Sequence, residues 1–452
     1  MVQAMYANLI RVNEDGRIVS QLASRWTVSS DLKVFELILN SKATFSDGSQ
    51  ITSHDVAYSL ARHCWKGSGS ILQGYLIDTV EGMSDLANNK IPTGITTPDQ
   101  KTIKIKLTKP YLPFLHTLAM PGFSIVSKMD RSLSSGPMVG AYDPLSNKWK
   151  LKKRIDYFGS KIKLKSLNVR AESNIEKLFE LFKKNEIDFS MGFTIGNIEN
   201  FNLPPNANLR ATGTLSYNHL FYNQTKSLLK NKGFRKDFGK LIQKIAWHKG
   251  SLSKFLAPLA SLIPKGVMPS TYYKRDELLI KPKIFKQKWK TEYKSTKIKL
   301  VFIKGHYNKQ FIIKLKKVLS SIDLSYELVE ASGAEFVDTL KKRNYDLISG
   351  PYVGNFPDPD GFLEPLNPAS ALTYSYNNSD LLFKNLNKVK NMTDPNLRLN
   401  SYSKLIRDFE DQWSVVPLYE VNFPIIFNNN LIIPDSNYRY ESELWNIFWK
   451  DK

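Results

Sequence analysis

The sequence predicts an α/β protein with more than one domain, and three observations support this. The chain has 452 residues, too many for one hydrophobic core. Hydrophobic residues make up 42% and charged residues 23%, which are globular proportions. Residues 298–349 alternate between strand and helix patterns with short connections, which predicts a parallel sheet with helices on its faces. The functional edge of such a sheet lies at the carboxyl ends of its strands.

This βαβαβ unit has apolar strands and helices of ordinary length. We expect ligand contacts in the segment that follows its last strand, from Gly350 to Asp360. The predicted strands are 298–303, 326–329 and 347–349, and the predicted helices are 311–319 and 335–341.

The N-terminal third begins with a strand whose one face is buried. Residues 34–40 alternate Phe35, Leu37 and Leu39 with more polar positions. After a glycine-containing turn, Thr52 stands three residues before Asp55, which predicts an N-cap and a helix over 53–63. Further along, we predict strands at 102–107, 187–191 and 415–419 and helices at 174–184 and 397–409.

The formal charge of +22 raises the question of a polyanionic partner. Residues 281–299 are the densest basic stretch, with Phe285, Trp289 and Tyr293 interleaved. Such aromatic rings could stack on bases while the lysines neutralise phosphates. Their near-helical spacing favours the other interpretation, an amphipathic segment whose rings enter the core while its lysines face water. We therefore expect no nucleic-acid partner.

No motif for catalysis, a cofactor or a metal is evident. The chain has no glycine-rich phosphate loop and no nucleophile elbow, and its six histidines are dispersed. The single cysteine, Cys64, excludes an intramolecular disulfide. No apolar run reaches the length of a membrane span, and the first residues do not match an export signal. The sequence therefore favours a protein that is not an enzyme and needs no cofactor.

Several segments, taken in order, resemble one known family. They are Tyr6-Ala7-Asn8-Leu9, Leu22-Ala23-Ser24-Arg25-Trp26, Phe45-Ser46-Asp47-Gly48, Thr52-Ser53-His54-Asp55-Val56, Phe356-Pro357-Asp358-Pro359 and Val416-Pro417-Leu418-Tyr419. Together they are similar to the extracytoplasmic solute-binding proteins of family 5, the oligopeptide, dipeptide and nickel binders of ABC importers. The resemblance covers essentially the whole chain.

The resemblance implies a periplasmic-binding-protein-like fold of two lobes with a hinge and a subdomain inserted in the first lobe. By analogy, residues 1–28, 147–224 and 423–452 form lobe I, residues 29–146 form the inserted subdomain, and residues 225–422 form lobe II. It also implies a monomer that captures a peptide or peptide-like ligand between the lobes and delivers it to the permease of an ABC importer. Such a protein is periplasmic or extracytoplasmic and peripheral to the membrane.

The resemblance also suggests ligand-binding residues: Tyr352, Val353, Asn355, Val421, Tyr6, Ala7 and Asn8. Two positions depart from the peptide-binding pattern. Asn355 stands where an aspartate receives the α-ammonium group of a peptide, and Ala7 replaces a glutamate near the cleft. A neutral amide cannot form that ion pair, so the departures favour a neutral or acidic ligand.

The family usually has a signal and a first strand before the segment that begins at Tyr6, and we expect that Met1 is an internal start. Two rivals share the fold: a cytoplasmic sensor beside a DNA-binding domain, and an importer component for metals or metallophores. A basic nucleic-acid-binding protein is a third alternative, from a different class.

Overall fold

The computed structural model describes most of the chain, and every structural statement below refers to this part. The described residues are 2–13, 16–159, 162–191, 193, 198, 202–246, 255–259, 261–268, 280–307, 309–354, 356–363, 366, 374, 380–433 and 447–450.

The N-terminal third is built around a four-stranded antiparallel sheet in the order β3-β4-β6-β5. One buried apolar cluster includes side chains of this sheet and of the helices beside it. The elements are α1 (Val2–Met5), β1 (Ile10–Val12), β2 (Ile18–Ser20), β3 (Ala23–Val28), β4 (Val34–Leu39), α2 (Ser53–Ala61), β5 (Ile95–Thr96), β6 (Thr102–Lys106) and α3 (Phe114–Leu118), with 3₁₀ turns at Gln73–Tyr75 and Pro121–Phe123.

Helix α2 begins at the predicted cap. The Thr52 side chain accepts a hydrogen bond from the Asp55 backbone N–H, and the Asp55 carboxylate accepts one from the Thr52 backbone N–H. This reciprocal capping box satisfies two amide groups that the first turn of a helix leaves without partners. The capping motif therefore predicted the start of α2 correctly.

A three-stranded antiparallel sheet follows, consisting of β7 (Met138–Asp143), β8 (Lys148–Lys153) and β9 (Ser166–Val169). Its buried side chains Met138 and Leu151 pack against Ala4 and Met5 of α1. The N-terminal helix is therefore fixed to this sheet.

A seven-stranded mixed sheet dominates the rest of the molecule. Its main order is β10-β16-β11-β15-β13-β14, and β12 pairs with β16. Strand β13 is parallel to both β14 and β15, as the βαβαβ pattern predicted. The strands are β10 (Phe189–Ser190), β11 (Ala207–Tyr222), β12 (Leu256–Pro258), β13 (Lys297–Ile303), β14 (Ser325–Ala331), β15 (Leu347–Val353) and β16 (Val415–Asn428); β17 (Leu431–Ile432) and β18 (Phe448–Trp449) form a separate pair.

Helices cover both faces of this sheet. One face packs against α6, α7 and α8 through a first buried cluster. The opposite face packs against α9, α10 and α11 through a second. The helices are α4 (Ile175–Lys183), α5 (Ser227–Lys230), α6 (Lys232–Ala246), α7 (Pro282–Tyr293), α8 (Lys309–Ser321), α9 (Gly333–Lys342), α10 (Asp380–Lys390) and α11 (Pro395–Asp411), with a 3₁₀ turn at Pro359–Phe362.

Several predicted strands have different bounds in the structure, and the strand predicted over 415–419 continues to Asn428 as β16. The last strand of the βαβαβ unit continues to Val353 rather than ending at residue 349, because Ser216 to Tyr222 of β11 pair with it along its full length. The strand predicted over 187–191 covers only Phe189 and Ser190. The basic stretch 281–299 contains α7 and the start of β13, and the rings Phe285, Trp289 and Tyr293 of α7 are buried, as expected of an amphipathic segment. These rings therefore cannot stack on bases.

Candidate ligand-binding site

Strands β11 and β16 each extend through two buried cores. Residues 207–212 of β11 pair with 423–428 of β16, and this half of the pair packs against α4. Residues 216–221 of β11 pair with 415–421 of β16, and this half lies in the two clusters that flank the large sheet. The two strands therefore pass together from one core to the other.

The pairing is irregular where the strands change cores. Thr212 pairs with Phe423 and Ser216 pairs with Val421, so β11 has two more residues than β16 across this step. Extra residues in one strand of an antiparallel pair bend it and increase its twist. We call residues 213–215 and Asn422 the crossing point.

Two of the predicted contact segments meet beside the crossing point. Ser216 pairs with Val353 of β15 on one side and with Val421 of β16 on the other. We call Val353, Ser216 and Val421 the row, and Leu256 of β12 extends it by pairing with Val421. Directly paired residues of neighbouring strands point to the same face of a sheet. Residues that are far apart in sequence, Val353 and Val421, thus lie on one face with Ser216 between them.

The row lies at the edge where the sequence predicted the functional end of the sheet. Val353 is the last residue of β15, and β13, parallel to it, ends on the same side at Ile303. Val353 is 45% exposed, whereas Val421 is 5% exposed. An exposed apolar side chain at the carboxyl edge of a parallel sheet is available to a ligand.

Ser216 was not predicted from the sequence. Its hydroxyl is buried and makes no hydrogen bond to any described residue. A buried hydroxyl without a partner costs about 1–3 kcal/mol. The one sequence signal near Ser216 is Gly213, because a glycine inside a strand pattern often marks a bulge.

Tyr352 points to the opposite face of the sheet from Val353. It pairs with Tyr217, whose ring centroid lies 5.4 Å from that of Tyr352. The Tyr352 hydroxyl donates a hydrogen bond to the Gly361 carbonyl at 3.3 Å. Tyr352 therefore supports the segment after β15 from beneath. Asn355, the predicted position of the lost anchor, lies outside the described residues.

The backbone of Ala7 is hydrogen-bonded within the N-terminal third of the chain. Ala7 is fully buried; its N–H donates to the Ser135 hydroxyl at 3.0 Å, and its carbonyl accepts from the Ile125 N–H at 2.8 Å. Beside it, Tyr6 is half-buried and its hydroxyl donates to the Arg131 carbonyl at 2.9 Å. Burial, together with the nearby Asp130 carboxylate, raises the pKa of Tyr6.

Asn8 is also buried, and both ends of its amide are occupied within the protein. Its Nδ2 donates to the carbonyls of Leu118 and Met120 at 2.9 and 2.7 Å, and its Oδ1 accepts from the Ser124 hydroxyl at 2.9 Å. These bonds fix the end of α3 and the turn that follows it. In this arrangement Asn8 positions a loop, and no group of its side chain is left for a ligand.

A segment after β15 makes contacts with the N-terminal third, and we call residues 356–363 the bridging loop. The Phe356 ring is 2% exposed and belongs to the N-terminal buried cluster. It stacks on His116 of α3 with ring centroids 6.0 Å apart. Asp360 accepts a hydrogen bond from the Tyr111 hydroxyl at 2.8 Å. Burial and this carboxylate raise the pKa of Tyr111 well above its usual value.

Both carboxylates of the bridging loop have cationic partners. Asp358 receives two hydrogen bonds from Arg398 of α11 at 2.7 and 2.8 Å, and the Arg398 side chain is only 3% exposed. Burial alone lowers the pKa of Arg398, but the bonds to Asp358 raise it overall. Asp360 lies 3.3 Å from the Lys390 ammonium group. Neither carboxylate is therefore free to receive a ligand's ammonium group.

One further acid lies next to the row. Glu420 precedes Val421, and burial raises its pKa. Its carboxylate accepts a hydrogen bond from the Lys265 backbone N–H.

Among the described residues, no group of three or more His, Cys, Asp and Glu side chains is arranged to hold a metal ion. No helix within the same residues is long and apolar enough to cross a bilayer.

The sequence profile of the bacterial extracellular solute-binding proteins, family 5 (Middle), matches residues 17–373. This match covers well over half of the chain. The chain belongs to family 5 of the bacterial extracellular solute-binding proteins. The predicted recognition and the two-lobed α/β fold class are thereby confirmed, and the described architecture is that of a family 5 protein.

Curated relatives of this family 5 protein are similar over nearly the full length. The probable D,D-dipeptide-binding periplasmic protein DdpA of Escherichia coli is 22% identical, and the alignment covers 94% of this chain and 84% of the relative. The oligopeptide-binding protein OppA of Bacillus subtilis is also 22% identical, over 93% of this chain and 82% of the relative. Both relatives are named as peptide-binding proteins.

Solved structures share the fold at low sequence identity. NikA from Brucella suis, in complex with Fe(III)-EDTA, superposes with a TM-score of 0.83 at 17% identity, covering 99% of this chain and 95% of NikA. HbpA2 from Haemophilus parasuis gives 0.80 at 18% identity, with 99% and 94% coverage. At this identity the likeness establishes the two-lobed fold of the family 5 protein.

Proposed function

We propose that this family 5 protein binds one small peptide or peptide-like ligand between its lobes and delivers it to the permease of an ABC importer. The observation that carries the proposal is the row Val353, Ser216 and Val421, which lies beside the irregular pairing where β11 and β16 pass from one buried core to the other. A ligand that contacts this row and the other lobe stabilises the arrangement in which the lobes meet, by its differential affinity. The names of DdpA and OppA support a peptide ligand.

The crossing point is the proposed hinge. Its irregular pairing leaves residues 213–215 outside the regular ladder, so these residues can change conformation without breaking the pairs on either side. On β16 the crossing point lies next to the predicted boundary between residues 422 and 423, whereas on β11 it lies before the predicted boundary between residues 224 and 225. All four predicted boundaries, at 28/29, 146/147, 224/225 and 422/423, stay predictions, as does the monomeric state.

The proposed contacts differ in role. Val353 supplies the exposed apolar floor, Ser216 and Val421 are buried beside it in the same row, and Asn355 follows from the resemblance. Tyr6 supplies a half-buried ring from the first lobe, whereas Ala7 and Asn8 hold the backbone beside it in place. Tyr352 supports the floor from the opposite face.

The charges of the bridging loop bear on the ligand's chemistry. Asp358 is paired with Arg398 and Asp360 with Lys390. The described part of this loop therefore offers no unpaired carboxylate to the free α-ammonium group of a ligand. With Asn355 and Ala7 at the two family acid positions, we propose a ligand whose amino group is absent, blocked or not recognised as a cation.

Calorimetric titration tests this proposal with pools of dipeptides to pentapeptides and with the same pools after N-acetylation. We expect one site per chain and equal affinity for free and acetylated peptides. In the Asn355→Asp variant, a restored carboxylate should raise affinity for the free peptides only, by about tenfold or more for one charge-assisted hydrogen bond. Unchanged affinity of Asn355→Asp for free peptides would refute the role of Asn355, and no binding in either pool would refute the peptide ligand.

The extracytoplasmic location is supported by the family description and by the periplasmic relatives. We propose that the protein works there, next to a membrane-embedded permease. Fractionation of cells with an antibody against the native chain tests the location. Recovery in the cytoplasm would favour the sensor alternative instead.

A further inference from the structure

The two helical layers on the large sheet differ strongly in charge. Helices α6, α7 and α8 on one face carry thirteen basic and two acidic side chains, a net charge of +11. Helices α9, α10 and α11 on the other face carry eight basic and six acidic side chains, a net charge of +2. Half of the chain's +22 is thus carried by one layer of 40 residues. We call α6, α7 and α8 the basic layer.

The charges of the basic layer face outward. The three helices contact one another and bury their apolar sides, including Phe234, Phe285 and Leu315, in the same cluster against the sheet. A helix that buries one side in a core presents its other side to solvent. The exposed lysines of the layer are Lys232, Lys236, Lys244, Lys283, Lys288, Lys290, Lys309, Lys316 and Lys317.

Nearby acids neutralise only part of this charge. Asp237 pairs with Lys288 at 2.8 Å, and Asp323, which follows α8, pairs with Lys286 and Lys290 at 2.6 and 3.1 Å. Helix α8 itself contains no acidic residue. Burial, together with the nearby positive charges of Lys236 and Lys288, lowers the pKa of Lys240. The layer therefore concentrates cations that repel one another in the absence of an anionic partner.

The composition of the layer selects among anionic partners. Its aromatic rings are buried and cannot stack on bases, which single-strand binding requires. Its one arginine, Arg235, is 3% exposed and donates to backbone carbonyls, so twelve lysines supply the remaining positive charge. Lysine ammonium groups act as mobile point charges rather than as planar forks that recognise base edges.

Two exposed isoleucines lie within this lysine field. Ile284 of α7 is 51% exposed and Ile313 of α8 is 45% exposed. Apolar side chains among lysines suit the boundary between phospholipid headgroups and acyl chains, where the lysines meet the negative surface and the apolar groups enter it.

We propose that the basic layer docks on the surface of an anionic phospholipid bilayer. The contact is made by the outer sides of α6, α7 and α8, opposite to the sheet, and the candidate ligand site lies at a strand edge and not on these outer sides. Docking of this kind holds the protein at the membrane through charge, and it is independent of whether the ligand is a peptide.

Vesicle cosedimentation tests the proposal with the full chain. Vesicles of phosphatidylcholine alone are compared with vesicles that also contain phosphatidylglycerol, at low and at physiological salt. The test variant is Lys283→Gln/Lys316→Gln/Lys317→Gln in the basic layer. The matched control is Lys341→Gln/Lys342→Gln/Lys388→Gln on the opposite helical layer, which makes the same change in net charge. All six lysines are exposed, so both variants should fold as the wild type does.

We expect wild type and control to bind the anionic vesicles and not the neutral ones, with weaker binding as salt rises. The test variant should bind about a hundredfold more weakly, since each lysine near the surface contributes additively. Equal losses in the two variants, or equal binding to neutral vesicles, would overturn the proposal. Tight binding of duplex DNA without binding of anionic vesicles would assign the layer to nucleic acid instead and would also overturn it.

Discussion

Truncation of Phe356 to alanine should separate the lobes without unfolding either of them. The ring belongs to the bridging loop, which follows β15 of the large sheet, yet it is buried in the N-terminal cluster and stacked on His116. Replacing a buried Phe by Ala removes about 3–5 kcal/mol of packing within a core. We take about 3 kcal/mol for this contact between lobes, because the two sides can separate and leave no cavity.

A change of about 3 kcal/mol shifts the balance between contacting and separated lobes about a hundredfold towards separation. Small-angle X-ray scattering of the ligand-free protein measures this shift as a larger radius of gyration for Phe356→Ala than for wild type. Ligand affinity should fall with it, because the ligand must then supply more of the closing free energy.

Phe362→Ala is the matched control. Phe362 lies in the same bridging loop and is equally buried, but it packs in the core on one face of the large sheet, with its ring centroid 6.1 Å from that of Tyr217. This variant should lower the free energy of unfolding and leave the radius of gyration unchanged. An unchanged radius for Phe356→Ala, or the same change in both variants, would refute the assignment of Phe356 as a contact between lobes.

Two further predictions concern buried charge and pH. Arg398→Met should lower the free energy of unfolding by about 3–5 kcal/mol, because the Asp358 carboxylate, only 14% exposed, is left without its partner; urea denaturation measures this, and a loss below 1 kcal/mol would contradict it. The buried ring of His219 has its Nε2 2.9 Å from the Leu262 carbonyl, and burial lowers its pKa from 6.5 to about 4. As pH falls, the unfolded chain therefore takes up a proton on His219 before the folded chain does, so the free energy of unfolding should fall between about pH 6.5 and 4. The melting temperature of His219→Gln should fall less steeply over this range than that of the wild type. Equal slopes for the two proteins would exclude His219 as the cause.

Much of the fold could be predicted because local patterns agree with tertiary packing. Thr52 and Asp55 predicted the start of α2 through a capping box that depends on neighbouring residues alone. The alternating apolar segments of 298–349 predicted the parallel strands β13, β14 and β15. Phe285, Trp289 and Tyr293 were correctly predicted to be core residues, because their spacing places them on one side of a helix.

The site could be predicted only in part, because it depends on contacts between distant residues. Strand β15 extends to Val353 because β11 pairs with it, and no local pattern near residue 350 reveals that partner. Ser216 was missed for the same reason, since its position between Val353 and Val421 exists only in the folded sheet. Resemblance indicated Asn8 as a ligand contact, whereas its amide is bonded to Leu118 and Met120 in the structure.

The contact between the bridging loop and α3 was also invisible from sequence. Tyr111 and Asp360 are 249 positions apart, and no sequence motif links the two residues. The charge difference between the two helical layers became evident only when the faces of the sheet were known. The sequence alone indicated only that the lysines of residues 281–299 face water.

The central claim is that one small ligand binds between the lobes, and native mass spectrometry tests it most directly. The purified chain is incubated with the dipeptide to pentapeptide pools and measured under gentle and then denaturing conditions. The account predicts a discrete small molecule at one per chain that is lost on denaturation. A chain that carries no small molecule from any pool, or that carries nucleic acid instead, would contradict it.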